Sequence, residues 1–340
     1  MKTIILFGGT GFIGTHLTQY LLMHDVAERI FLVDLAGPRN CSFSQVFQAG
    51  LNSGRVTYIA HDVRKPIPAG LLPEKVDLIF NLAAVHREPG HVAREYFETN
   101  LLGAENICSW ASTVDCKTIV FTSSISPYGP SEEKKTETSL PTPETPYGSS
   151  KLVAEKIHLA WQAAEEGRRL LVLRPGVVFG PGEDGNVTRL VRSLVKGYFV
   201  YLGNRKIIKA AIYVKELCCV VFFGLEVLRT DESSTLFLNA TMNPPPTMER
   251  MVGAILKAIG TSRHPLNVPR TLLLALSYPL LVVERVFRIK LPINPVRVRK
   301  LFRSNNIWPE KLELLGYEYK YTLESAFLDW KQDLPQDFSA

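Results

Sequence analysis

The most constraining stretch is LFGGTGFIG, residues 6–14, which sets Gly8, Gly11 and Gly14 three apart directly after the apolar run TIILF (3–7). The β-branched run reads as a strand and the residues after the glycines as a helix. A glycine turn between the two allows a sharp reversal and close backbone approach to a ligand. It also leaves N–H groups free at a positively polarised helix start, which suits a pyrophosphate. Asp34 closes the next apolar run, RIFLVD (29–34), twenty residues beyond Gly14. A carboxylate there takes ribose hydroxyls and repels a 2′-phosphate, so the expected cofactor is NAD. Arg39 nearby pulls toward the phosphorylated form.

The pattern continues along the chain. RVTYIA (55–60), VDLIFNLA (76–83), TIVFTSS (118–124) and LLVLRP (170–175) alternate with helical segments at 12–24, 92–113 and 148–166. Such alternation predicts an α/β fold, a doubly wound parallel sheet with helices on both faces. Asp62, in HDV just past the third strand, is placed either to contact adenine or simply to cap the strand end. The segment PSEEKKTETSLPTPETP (130–146) reads as an exposed loop delivering the chain to Tyr147. Past residue 176 the alternation weakens, with helices expected near 186–196, 214–229 and 247–259. The expected division is a cofactor domain over 1–176 with a return segment near 207–240. Residues 177–206 and 241–335 then form a smaller C-terminal substrate lobe.

Composition excludes several classes. With 46% hydrophobic and 21% charged residues the chain is an ordinary folded globule. Its five cysteines (Cys41, Cys108, Cys116, Cys218, Cys219) are odd in number and follow no metal-ligand spacing, which fits a reduced, cytoplasmic setting. The N-terminal MKTIILFGG is broken by glycine too early for a signal peptide. His86 and His91 lack a third ligand at useful spacing, so no metal is expected. No aromatic-basic interleaving points to nucleic acid.

The net charge of +6 is unevenly placed: seven basic residues and no acidic one lie between Arg285 and Arg303. That run faces phosphates, faces a membrane surface, or forms a solvated face. Just before it, TLLLALSYPLLVVERVF (271–287) has an uncharged core of 13 residues containing Pro279. A bilayer about 30 Å thick needs roughly 20 residues, so this segment is a buried core helix or an interfacial one.

Tyr147 and Lys151 in YGSSK share a helix face, which alone says little. Six motifs in order say more: GGTGFIG, NLAA (81–84), TNLLGAENI (99–107), FTSSISPYG (121–129), YGSSK (147–151) and LRPGVVFGPG (173–182). In this order and spacing the chain resembles the extended short-chain dehydrogenase/reductases, the NAD-dependent epimerase/dehydratase family acting on nucleotide sugars.

The resemblance implies a Rossmann domain with Tyr147 as catalytic base. Lys151 would lower the phenol's pKa from its usual value near 10 and hold the nicotinamide ribose. Ser124 would hold the sugar oxygen, with Ser123 the register alternative. Phe12, Ile13, Val63, Leu82, Ala83, Ala84, Asn100 and Pro175 would join the glycines, Asp34 and Asp62 around the cofactor, with Arg174 as scaffold. Pro127 stands where the family usually has a small aliphatic residue. His86, with Arg87, lies at the mouth of the site, as a substrate contact or as part of a helix start.

A 4,6-dehydratase would carry Thr-Asp-Glu beside the serine, and SSISPYG does not. GNVTRLVRSLVKGYFVYLGN (185–204), YVKEL (213–217), NPVRVRKLF (294–302) and LGYEYKYTLESAF (315–327) are similar to the enzymes that epimerise N-acetylglucosamine at C4 on polyprenyl diphosphate, in surface polysaccharide biosynthesis. That similarity implies a sugar-diphosphate substrate, Asn186 and Arg297 near the diphosphate with Arg299 a weaker candidate, and peripheral membrane contact through 271–303 at the inner face of the cell membrane. It also implies a homodimer through the helices near 92–113 and 148–166. The alternatives are a soluble nucleotide-sugar 4-epimerase or 4-ketoreductase, and a non-catalytic NAD-binding regulator.

Overall fold

A computed structural model describes residues 2–39, 43–88, 90–231, 233–269 and 303–339. The first half alternates as its pattern predicts: β1 (Thr3–Phe7), α1 (Phe12–Met23), β2 (Arg29–Asp34), α2 (Gln45–Asn52), β3 (Val56–Ala60), β4 (Leu78–Asn81), α3 (Ala93–Thr113) and β5 (Thr118–Thr122). Then come β6 (Ser131–Lys135), α4 (Pro146–Ala163), β7 (Arg169–Pro175), β8 (Val177–Phe179), α5 (Asn186–Val195), β9 (Tyr201–Leu202), β10 (Ala211–Tyr213), α6 (Val214–Thr230), β11 (Thr235–Ala240) and α7 (Met248–Ile259). The C-terminal part adds β12 (Asn267–Val268), β13 (Asn305–Ile307), α8 (Glu310–Leu314) and α9 (Leu323–Asp333).

Seven strands form one parallel sheet in the order β11-β7-β5-β4-β1-β2-β3. All five residues of β1 are buried, as a central strand covered on both faces requires. One face packs Leu6, Leu32 and Leu171 against Leu17 and Leu21 of α1 and Val220 of α6. The other packs Phe7, Ile79 and Val172 against Ile107 and Trp110 of α3 and Trp161 of α4. A further core gathers Phe179, Val191, Tyr213, Ile255, Phe327 and Trp330, from β8, α5, β10, α7 and α9.

The strand order reverses between β1 and β4, so a crevice opens at their carboxyl ends. Gly8 follows β1 there, and Leu82 and Ala83 follow β4. The fold thus brings the glycine turn and the NLAA motif to one point.

The expected loop 130–146 is corrected in part. Residues Ser131–Lys135 form β6, a parallel partner of β13, with Ser131 opposite Asn305 and Lys135 opposite Ile307. Its sequence, SEEKK, is charged because most of its side chains face water, and its partner lies far along the chain, so no local periodicity marks it. Helix α2 was also missed; it begins at the buried Ser44, whose Oγ accepts the Phe47 N–H at 3.3 Å. Among the described residues no helix is long and apolar enough to cross a membrane. The apolar segment 271–287, the basic run as far as residue 302 (with Arg297 and Arg299) and Cys41 lie outside the described residues.

Candidate active site

The glycine turn is built by exclusion of side chains. Gly8 has φ +76°, and a Cβ there would lie 2.6 Å from the Ala83 backbone nitrogen. A Cβ on Gly14 would lie 2.4 Å from Gly9 O. Strand end, turn and helix start therefore pack backbone against backbone. Helix α1 opens on Gly11 with no side-chain cap and no acidic residue in its first turn. The Phe12 and Ile13 N–H groups find no acceptor among the described residues. Open donors at an uncapped helix start, beside a cradle that any Cβ would fill, fit a pyrophosphate.

Asp34, at the end of β2, accepts the Thr10 hydroxyl at 2.8 Å on one oxygen and the Leu35 N–H at 2.8 Å on the other. The first oxygen also takes the Thr10 N–H at 3.3 Å, so the second is the one that keeps a lone pair, and the Thr10 bonds aim the carboxylate at the glycine turn. We expect Gly8→Ala to weaken NAD binding at least about tenfold, since a left-handed L-residue costs roughly 1–2 kcal/mol before its methyl meets Ala83. Titration calorimetry with NAD would read this, and unchanged affinity would contradict the packing argument.

The candidate acid–base residues are assembled by the start of α4. Thr145 caps it, its hydroxyl accepting the Gly148 N–H at 3.1 Å, and Pro146 opens the first turn. Gly148 lets that turn sit on the Ser124–Ser126 segment, because a Cβ would lie 2.6 Å from Ser126 O. In consequence the Ser124 hydroxyl stands beside the Tyr147 phenol. Ser124 is itself held by the Ser126 N–H at 3.1 Å. Asn100 of α3 fixes the same turn: its amide donates to Ser150 Oγ at 2.9 Å, Ser150 donates to Tyr147 O at 2.8 Å, and Asn100 Oδ1 accepts Val85 N–H at 3.0 Å. The Tyr96 ring packs 6.0 Å from that of Tyr147.

Lys151, one turn further along α4, is 2% exposed, and its Nζ stands 4.6 Å from the Phe121 ring centroid. It has no hydrogen-bond acceptor among the described residues, an orphan donor that ribose hydroxyls would satisfy. His158 stacks on the same Phe121 ring at 4.0 Å. Its Nδ1–H donates to Ala154 O at 2.8 Å, which leaves Nε2 to accept from Asn81 Nδ2 at 3.1 Å. Burial keeps this imidazole neutral, with its pKa pulled down to about 4.

The electrostatics depart from expectation. Burial pushes the Tyr147 phenol up to about 12, the Ser124 hydrogen bond opposing and Glu88 and Tyr96 adding to the rise. Burial pulls Lys151 down to about 7, with Glu155 opposing. The expected lowering of Tyr147 by Lys151 is therefore absent in the chain itself: burial governs both groups. At neutral pH the phenol is protonated and the amine sits near its own midpoint, ready to exchange a proton.

Other candidates fall elsewhere. Ser123 is 3% exposed and donates to Glu155 Oε1 at 2.6 Å, so it is engaged inside the protein and Ser124 is the serine at Tyr147. Glu155 also forms a bidentate pair with Arg174, at 2.8 and 2.6 Å. Arg174 reaches Tyr128 OH at 2.7 Å, and that hydroxyl donates to Asn239 at 2.9 Å. This buried network ties α4 to β7 and β11. Asp62 is held by Arg64, Nε to Oδ2 at 2.9 Å, and Val63 packs in the core against Gly103, as strand-end residues do. Pro175 ends β7, its carbonyl accepting Ile125 N–H at 3.1 Å. His86 and Arg87 are exposed after β4, and Asn186 is exposed at the start of α5, accepting from Arg189 at 2.8 Å.

Sequence reasoning missed the cavity beside Ser124, about 160 Å³, lined by Glu88, Ile125, Ser126, Gly129, Thr145 and Asn305. Its wall joins distant segments, so no spacing could mark it. Glu155 did carry a signal, standing four residues beyond Lys151 on the same helix face.

Comparison with known proteins follows this geometry. The sequence profile of the NAD dependent epimerase/dehydratase family matches residues 4–237. The chain is 24% identical over 324 residues, 95% of its length and 92% of the other's, to the N-acetyl-alpha-D-glucosaminyl-diphospho-ditrans,octacis-undecaprenol 4-epimerase of Escherichia coli O157:H7. It is 32% identical over 183 residues to an uncharacterized UDP-glucose epimerase of Bacillus subtilis (strain 168), a match covering 52% of this chain and 57% of that one. Among solved structures, the UDP-glucuronic acid 4-epimerase of Bacillus cereus in complex with NAD superposes with a TM-score of 0.73 at 18% identity, over 99% of this chain and all of the other.

Proposed function

Since the chain belongs to the NAD-dependent epimerase/dehydratase family and is an NAD-using enzyme, we propose that it inverts C4 of an N-acetylhexosamine carried on a diphosphate, most specifically a polyprenyl diphosphate, in surface polysaccharide assembly. The observation that carries the reaction is the contact between Ser124 and Tyr147 at the start of α4, with Lys151 buried and without an acceptor one turn on. The lipid carrier rests on the near full-length similarity to the undecaprenol-linked enzyme.

The Gly8–Gly14 turn, Asp34 and Lys151 would hold NAD, which when bound supplies a reversible hydride acceptor. Ser124 would hold the sugar's C4 oxygen. Tyr147, once its own phenol proton has passed to the partly deprotonated Lys151, takes the proton from that hydroxyl as C4 becomes a ketone and returns it when hydride re-enters from the opposite face. Lys151, near its midpoint at pH 7, relays that proton. Ser-Ser-Ile at 123–125 offers no carboxylic acid for elimination across C5 and C6, which counts against dehydration. The half-length similarity to a UDP-glucose epimerase favours a second reading, in which the carrier is a nucleotide.

The test is product analysis after incubating the enzyme and NAD with polyprenyl-diphosphate N-acetylglucosamine in detergent and, in parallel, with UDP-N-acetylglucosamine. The C4 epimer is expected from the lipid-linked sugar. Conversion of the nucleotide sugar alone would move the assignment to the second reading. Inertness toward both, with NADH consumed by a 4-keto sugar, would make the enzyme a reductase.

A further inference from the structure

A further cavity, about 290 Å³, lies away from the candidate acid–base residues, between the C-terminal ends of α5 and α7. Its walls include Tyr198, Phe199, Leu256 and Leu266, with Arg263 and His264 beside them. Around it apolar side chains face outward: Tyr198 is 67% and Leu266 75% exposed. Leu202 belongs to the same surface, because the parallel β9–β12 pair sets it opposite Val268.

The charge here is one-sided. Residues 196–209 carry Lys196, Arg205, Lys206 and Lys209 and no acidic residue, and residues 261–269 add Arg263 and again no acid. Arg205 is paired with Glu249 at 3.3 Å and Lys209 donates to Arg303 O at 2.7 Å. Lys196, Lys206 and Arg263 have no ion pair among the described residues. An outward tyrosine and leucines beside the unpaired Lys196 and Arg263 match an anionic lipid surface, where aromatic rings settle at headgroup depth and basic residues meet phosphate. A protein partner would need a matching acidic rim around an apolar knob. A bilayer supplies both over a broad plane.

We propose that the surface formed by residues 196–206 and 263–266 docks the enzyme on an anionic phospholipid bilayer. This deepens the lipid-linked reading above. Vesicle binding is read without any sugar substrate, so the two fail separately.

The experiment is flotation of the full chain with phosphatidylglycerol-rich vesicles and with pure phosphatidylcholine vesicles. The wild type is expected to float with the anionic vesicles at low salt and to be released by salt. A Tyr198→Asp/Leu266→Asp variant should bind at least about tenfold more weakly, and Arg263→Gln several-fold more weakly, in line with the contribution of a basic residue at an anionic surface. Arg263→Gln also keeps the test decisive should the double variant fold poorly. Undiminished flotation of the variants, or a wild type that stays soluble, overturns the proposal. A changed oligomeric state of the double variant with unchanged flotation also overturns it, and assigns the patch to a second copy of the chain.

Discussion

Tyr147→Phe is expected to lower turnover by about a thousandfold while leaving NAD affinity within a factor of two, the range typical for removal of a general acid–base group. The argument is geometric. Tyr147 is the titratable group that Ser124 contacts, and the turn carrying it is fixed from below by Asn100 and Ser150. Phenylalanine fills the same space against Tyr96, so fold and cofactor cradle survive and only the proton carrier is lost. A phenol raised to about 12 keeps its proton at pH 7 and is poised to protonate a ketone. Steady-state kinetics beside an NAD titration separates the two effects, and undiminished turnover would remove Tyr147 from the mechanism.

Lys151→Met is expected to abolish measurable turnover and yet to stabilise the fold. Burial holds the ammonium at about 7 in the folded chain, against an ordinary lysine value of 10.5. Between those values the unfolded chain binds the extra proton, so wild-type stability rises with pH across this window and is lowest below it. Methionine carries no charge and escapes the penalty. Near neutral pH the variant should therefore be more stable by about 2–4 kcal/mol, with the difference fading toward pH 10. Chemical denaturation at pH 6 and pH 10 reads this directly. A variant less stable than the wild type at pH 6 would show that Lys151 has a folded-state partner stronger than the Phe121 ring.

These two residues also show what a sequence can disclose. YGSSK and the glycine turn are short-range patterns, because a tight turn or a helix start is specified by neighbours a few residues apart. The same holds for β1 to β5, whose apolar runs lie in a sheet covered on both faces. The charged strand β6 was invisible because its partner is remote and its side chains face water. The choice between Ser123 and Ser124 needed Glu155, whose position relative to β5 only the packed fold reveals. The direction of the Tyr147 shift was misjudged because a motif names the neighbouring lysine but not the depth at which both are buried. The patch formed by Tyr198, Leu202 and Leu266 illustrates the opposite case: its residues come from two separate segments and carry no periodicity at all.

The pairing of β6 with β13 has a consequence in time. Ser304 N–H reaches Glu132 across 172 residues, and Arg303 grips Glu144 just ahead of the helix that bears Tyr147. On a ribosome adding roughly 5–20 residues per second, those residues take about 10–30 s to appear. Through that interval the nascent chain already holds the strands of its glycine cradle, while the segment leading to the tyrosine lacks its ties to Arg303 and Ser304. Synthesis is thus ordered: the strands of the cofactor cradle come first, and the ties from Arg303 and Ser304 to the segment before α4 follow only when those residues emerge.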